Sequence, residues 1–131
     1  MTWNEPDPAR RFMWAIQALA LDATEQLQLF PEFAEPTDEL ELDQAQTQAA
    51  FLESSQSLVS AEQLQAIADL DAQLDAMAGP ENAALWSDEA LEAAPEWQRV
   101  RALAAALLRQ MGWPLEAPPR DRAIYVGPIS E

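Results

Sequence analysis

Apolar residues recur at helical spacing in the first part of the chain, on one face formed by Phe12, Ile16, Leu19, Ala23, Leu27 and Phe30. Asp7 and Pro8 suit the N-cap and the first helical position, and Pro31 ends the run. Asp22 and Thr24 offer a point at which this helix would divide into two. Residues 31–37 then form a connector.

The next run begins near Thr37 or Asp38, and its apolar positions are Leu40, Thr47, Phe51 and Leu58. This pattern predicts a helix of weaker amphipathicity, which the stretch of residues 54–57 would fray at its end.

A third helix has the clearest signal, because Ser60 and Gln63 form a capping-box pattern. Its apolar stripe is Leu64, Ile67, Leu70, Leu74 and Met77, and Gly79 and Pro80 supply the stop.

One or two short helical turns are predicted over residues 81–94, with Ser87 as an N-cap. Pro95 begins a last long helix whose apolar face is Trp97, Val100, Ala104, Leu107 and Met111, and Gly112 ends it. Four prolines in the tail favour an extended or irregular path, in which residues 124–126 would be a short strand or an apolar clasp.

These elements predict an all-α, single-domain bundle of four to five helices over residues 1–113. Residues 114–131 form an irregular Pro-rich C-terminal tail, packed on the bundle or flanking it. The length of 131 residues and the 49% of hydrophobic residues are sufficient for one core. Phe12, Phe51 and Trp97 are expected in that core, whereas Trp3, Trp14 and Trp86 are better candidates for exposed anchors.

Missing residue types restrict the chemistry. The chain has no cysteine, histidine or lysine, so disulfides, thiolate and Ser-His-Asp catalysis and Schiff-base chemistry are excluded. It also has no glycine-rich phosphate loop. Neither an apolar leader segment nor a membrane-length apolar run is present, which favours a cytoplasmic protein that binds no membrane. No cofactor and no catalytic residue is expected.

Negative charge is the strongest global feature, with 23 acidic residues against seven arginines and a net charge of −16. No basic residue occurs between Arg11 and Arg99, and direct binding of nucleic acid is therefore disfavoured. Such a surface favours a basic protein partner, such as a toxin or a nucleic-acid enzyme, since opposite charge accelerates association. The expected partner-binding residues are Glu32, Glu35, Asp38, Glu39, Glu41, Asp43, Asp69, Asp71, Asp75 and Trp86.

The leading hypothesis is therefore a non-enzymatic inhibitor or immunity-type protein that covers a basic site. A DNA mimic or regulatory adaptor would share the same electrostatics. A hydrolase of a phosphorylated small molecule is a third alternative, because carboxylates four residues apart, such as Asp71 and Asp75, share a helix face and suit Mg²⁺ or Mn²⁺. A ligand sensor with a pocket inside the bundle is a fourth. The solvated-surface interpretation, in which the acids only keep the protein soluble, also stays open, as does the oligomeric state.

Overall fold

A computed structural model of the chain describes residues 7–119, and within this range every regular element is a helix. The six α-helices are α1 (Pro8–Ala20), α2 (Ala23–Gln28), α3 (Pro36–Ser55), α4 (Ala61–Ala76), α5 (Asp88–Ala93) and α6 (Pro95–Met111). Two 3₁₀ helices, Gln56–Leu58 and Pro80–Leu85, stand before α4 and α5. The all-α prediction is confirmed. The described residues hold six α-helices and not the four to five predicted, because the first predicted helix is divided into α1 and α2.

Local capping explains where this division falls. Leu21 and Asp22 are extended, and the Asp22 side chain accepts a hydrogen bond of 3.0 Å from the backbone N–H of Glu25. Asp22 thus caps α2, as Asp7 caps α1 through the N–H of Arg10 at 2.8 Å. Asp22, where the sequence offered a division, therefore separates α1 from α2.

The caps of the later helices follow the sequence prediction. Ser60 and Gln63 form a reciprocal capping box at α4, with hydrogen bonds of 2.9 and 3.1 Å. Ser87 accepts from the N–H of Ala90 at the start of α5. Gly79 and Gly112 both have positive φ values, 101° and 71°, which glycine adopts without the steric cost of a Cβ atom. Ser60 and Ser87 thus begin α4 and α5, and Gly112 is the C-cap of α6, whereas α4 ends at its C-cap Met77 and Gly79 begins the 3₁₀ helix that follows.

The four longest helices pack around one core. The extensive backbone contacts are those of α1 with α3, α1 with α6, and α4 with α6. Phe12 near the start of α1 stacks on Phe51 near the end of α3, with ring centroids 5.0 Å apart, so these helices are antiparallel. Trp113 after α6 packs edge-on against both rings. The Gln63 side chain in α4 donates to the carbonyl of Gln110 in α6, which makes that pair antiparallel as well.

Burial confirms most of the predicted apolar faces. Phe12, Phe51 and Trp97 are buried, as expected. The other large buried side chains are Ile16, Leu19, Phe30, Leu40, Ile67, Leu70, Leu74, Met77, Leu91, Val100, Leu107 and Leu108. Leu58 is the exception, because 84% of its side chain is exposed in the 3₁₀ helix after α3. The prediction that Leu58 continues the α3 stripe is wrong, since the helix ends before that position.

Three glutamines are buried that an apolar pattern does not identify: Gln17, Gln26 and Gln44. Gln17 donates to the carbonyl of Pro114 at 3.0 Å, and this hydrogen bond joins the beginning of the tail to α1. Residues 114–119 have no regular secondary structure. The predicted strand or clasp at residues 124–126, the remainder of the tail and Trp3 lie outside the described residues.

None of the helices in residues 7–119 combines the length and the hydropathy of a membrane-spanning segment.

Candidate partner-binding surface

Helices α3 and α4 carry most of the acids singled out in the sequence. Both are long enough to present side chains over several turns, and each has one buried face directed at the core. They also meet at one point, where the buried Gln44 amide of α3 donates to Oδ1 of Asp71 in α4 at 3.4 Å. The two helices nevertheless approach each other closely at few backbone positions. The contact between α3 and α4 is therefore made by side chains and not by close approach of the two backbones.

The acids of residues 32–43 occupy two different environments. Glu32 and Glu35 precede α3 in the connector and are exposed. Asp38 is exposed in the first turn of α3, whereas Glu39, Glu41 and Asp43 are half-buried along the helix. An acid in the first turn is favourable near the positive end of the helix dipole. The predicted block thus spans two elements, with Glu32 and Glu35 in the connector and the other four acids in α3.

Glu41 has the most informative electrostatics of these residues. Burial raises the pKa of the Glu41 carboxyl above its ordinary value, and the neighbouring charges of Asp38, Asp71 and Asp75 raise it further. Asp38 belongs to α3, while Asp71 and Asp75 belong to α4. The structure therefore brings together four of the acids predicted from the sequence, which we call the acidic quartet: Asp38, Glu41, Asp71 and Asp75.

Other predicted acids lie apart from the quartet or have local roles. Asp69 is exposed and accepts a hydrogen bond of 2.8 Å from Gln65 on its own helix. The Asp43 carbonyl accepts from the Thr47 hydroxyl at 2.6 Å. Neither residue contributes to the raised pKa of Glu41. Their part in partner binding stays a prediction.

Sequence reasoning missed the amides that support the quartet. Gln44 is only 1% exposed, and its Nε2 donates both to Asp71 and to Oε1 of Gln48 one turn along α3. The sequence does contain a signal that Gln44 is buried, since Gln44 falls on the same helical face as Leu40 and Phe51. A polar residue within an apolar stripe requires a hydrogen-bond partner. Here the partners include an acid of the neighbouring helix.

Trp86 is placed differently from an exposed anchor. Its indole is half-buried, donates from Nε1 to the carbonyl of Met77 at 2.8 Å, and packs edge-on against Trp97 at a centroid distance of 5.3 Å. This arrangement ties the connector after α4 to the core. The packing of Trp86 is explained without a partner, and its predicted role in binding is not tested by these contacts. Trp14 is half-buried in α1.

Two findings concern the small-molecule alternatives, which stay predictions. Within residues 7–119, no group of three or more carboxylates has an arrangement that could hold a metal ion. An open depression of about 310 Å³ borders Ala106, Arg109 and Gln110 on the surface of α6. This depression lies outside the core, whereas the sensor hypothesis requires a pocket inside the bundle.

A comparison with protein-family models finds no match, and comparisons with curated proteins and with solved structures find none either.

Proposed function

We propose that the protein is a non-enzymatic, acidic binding module that covers a basic site on a partner protein. The partner presents a positively charged cleft, as a toxin or another enzyme acting on nucleic acid would. The observation that carries the proposal is the acidic quartet, in which burial and then the charges of acids from two helices raise the pKa of Glu41. Like charges held near one another destabilise the free protein, and cations from a partner relieve that repulsion.

The distribution of charge over the whole chain supports the same function. All seven basic residues are arginines near the two ends of the sequence, and residues 12–98 contain none. Helices α3 and α4 themselves therefore carry acids and no basic side chain, which favours the approach of a basic protein and disfavours nucleic acid. An inhibitor of this type needs no catalytic groups, because it acts by occupying the site that the substrate would use.

The test begins with capture of host proteins on the tagged full-length chain at low salt, followed by a wash at high salt. The expected result is one basic protein, retained at a fixed ratio and released by salt, since screening weakens charge contacts. If that protein is an enzyme acting on nucleic acid, the chain should inhibit it. Recovery of no basic protein, or of one whose retention does not depend on salt, would contradict the proposal.

A second step locates the contact with two triple variants of equal charge. The variant Asp38→Asn, Glu41→Gln, Asp75→Asn neutralises the quartet side, whereas Glu53→Gln, Glu62→Gln, Glu89→Gln neutralises exposed acids elsewhere. We expect the first to weaken binding of the captured protein at least about tenfold and the second to weaken it much less. Equal losses would show that net charge, and not this surface, determines binding.

A further inference from the structure

Helix α3 lies at one edge of the packed helices. Extensive backbone contacts join α3 to α1, α1 to α6, and α6 to α4, so α1 and α6 each have two such neighbours. Helices α3 and α4 each have one, and they approach each other closely at few backbone positions. Segments with few buried apolar contacts open more readily than the rest of a protein. An edge helix can therefore separate while the other helices stay packed.

Of the two edge helices, α3 has the weaker apolar anchorage. The buried residues of α4 are all apolar, namely Ile67, Leu70 and Leu74. Helix α3 is longer, yet it buries only two large apolar side chains, Leu40 and Phe51, which lie about three turns apart. Gln44 occupies the buried face between them, and its amide gains less from removal from water than a leucine side chain would.

The ends of α3 also lack the local devices that fix the other long helices. Glu35, at the N-cap of α3, makes no side-chain hydrogen bond to the first turn, whereas Asp7 and Ser60 cap α1 and α4 in this way. At its C-terminal end, α3 passes into the 3₁₀ helix through Gln56, while α6 stops at the left-handed Gly112. Side-chain caps and glycine stops stabilise helix ends. Helix α3 therefore depends on tertiary packing more than the other three long helices do.

Charge opposes the closed position of α3. Besides burial, the charges of Asp38 on α3 and of Asp71 and Asp75 on α4 raise the pKa of Glu41, so acids of the two helices repel one another. The polar contact between the two helices is the hydrogen bond from Gln44 to Asp71, whose length of 3.4 Å marks it as weak. Separation of α3 from α4 thus relieves repulsion and breaks only a weak hydrogen bond.

We infer that α3 opens as one cooperative unit while α1, α4 and α6 stay packed together. The opened form uncovers the ring of Phe12, on which Phe51 stacks, and the ring of Trp113 that packs edge-on against Phe51. It also divides the acidic quartet, because Asp38 and Glu41 move with α3 while the other two acids stay on α4. The opening belongs to the free chain and does not rest on the proposed function. A basic partner that contacts both helices would select the closed form.

Amide hydrogen exchange of the unmodified full-length chain measures the opening. We expect the amides of residues 40–52 to exchange through one shared opening, with protection at least about tenfold lower than that of the interior amides of α4 and α6. Low concentrations of urea should promote this opening less steeply than global unfolding, because it exposes less surface. Exchange of all three helices through global unfolding alone would overturn the inference, as would amides of α3 that each exchange with their own opening free energy.

Single cysteines provide a second measurement, because the chain contains no cysteine of its own. Thr37→Cys and Gln44→Cys place a thiol at two positions of α3 that are 1% exposed, and Ala104→Cys is the control on α6 at 0% exposure. Thermal melting first confirms that each variant is folded. With a neutral alkylating reagent, both α3 variants should react at similar rates, at least about tenfold faster than Ala104→Cys. Equal rates on the two helices, or fast reaction of Thr37→Cys alone, would contradict opening as a unit.

Two core substitutions then distinguish opening of α3 from global unfolding. Ile67→Val in α4 should lower the protection of interior amides in α4 and α6 by about fivefold and leave that of α3 unchanged, because α4 stays packed when α3 opens. Phe51→Leu weakens the anchor of α3 itself. It should lower the protection of residues 40–44, about three turns away, as much as that of residues 48–52. An equal loss in α3 and α6 after Ile67→Val, or an effect of Phe51→Leu confined to residues 48–52, would overturn the inference.

Discussion

Gln26 and Arg101, 75 residues apart in the chain, are joined by a hydrogen bond of 2.8 Å between the glutamine Oε1 and the guanidinium. Gln26 is fully buried and donates from Nε2 to the carbonyls of Ala18 and Leu19 at the end of α1. Arg101 also donates to the carbonyl of Leu91 in α5. One amide and one guanidinium thus connect the four helices α1, α2, α5 and α6. Burial lowers the pKa of Arg101, and the negative charge of Asp22 opposes that shift.

Gln26→Leu should destabilise the protein by about 3 kcal/mol. The substitution preserves the approximate volume but removes the amide donor to the carbonyls of Ala18 and Leu19 and the acceptor of one guanidinium N–H. The Ala18 carbonyl keeps only a bond of 3.4 Å from the Leu21 N–H, and unsatisfied buried polar groups are costly. Urea denaturation measures the change in the free energy of unfolding. Gln28→Leu is the matched control, because Gln28 is exposed on the same helix, and should change stability by less than about 0.5 kcal/mol. Equal effects would show that the network contributes little.

Leu74→Ala should cost about 2–5 kcal/mol, since Leu74 is 4% exposed among core side chains of α4 and its truncation leaves a cavity. The same substitution at Leu58, which is 84% exposed, should cost almost nothing. The midpoint of chemical denaturation distinguishes the two. A large effect at Leu58 would mean that this leucine is packed in solution and that the end of α3 is wrongly placed.

Periodicity and capping residues were sufficient for most of the fold. Ser60, Ser87 and Gly112 act within a few residues of their own positions, so the sequence identified them directly. The error at Leu58 arose because spacing alone does not show where a helix ends. The buried glutamines were missed for a different reason. Gln17 and Gln26 are satisfied by Pro114 and Arg101, which are distant in sequence and become neighbours only after folding.

The candidate surface was predictable only in part. The sequence indicated which acids are present, and it could not show that Asp71 and Asp75 face Glu41 while Asp69 does not. That distinction depends on the rotation of α4 about its axis, which the apolar face determines. The Trp86 anchor was proposed because the residue falls in a turn. Turn residues also pack at helix joints, and the hydrogen bond from Trp86 to Met77 could not be inferred from spacing.

Trp86→Phe should lower stability by about 1–2 kcal/mol, because it removes the indole N–H that donates to Met77 and reduces the contact with Trp97. Trp97→Phe is the comparison, since Trp97 is fully buried and donates to the carbonyl of Leu85, and it should cost more. Binding of the captured partner by folded Trp86→Phe should stay within about twofold of the unmodified chain. A large loss of affinity without loss of stability would assign Trp86 to the binding surface after all.

Glu41→Gln should stabilise the protein at neutral pH by roughly 0.5 kcal/mol, because it removes a partly buried charge that the other acids of the quartet repel, while keeping the shape of the side chain. The raised pKa of Glu41 fixes the sign of the pH dependence. The folded state holds this proton more tightly than the unfolded state, so the stabilisation from protonation is complete below the ordinary value of 4.5. It is lost as the pH rises through the raised folded value.

The advantage of Glu41→Gln over the unmodified chain should therefore be largest near neutral pH and should disappear at about pH 3, well below the ordinary value of 4.5, where the carboxyl is protonated in both states. Denaturant titrations at the two pH values measure this difference. Glu53→Gln removes an exposed charge from the same helix and controls for the lower net charge. An advantage for Glu41→Gln that did not depend on pH would mean that packing, and not repulsion from Asp38, Asp71 and Asp75, is responsible.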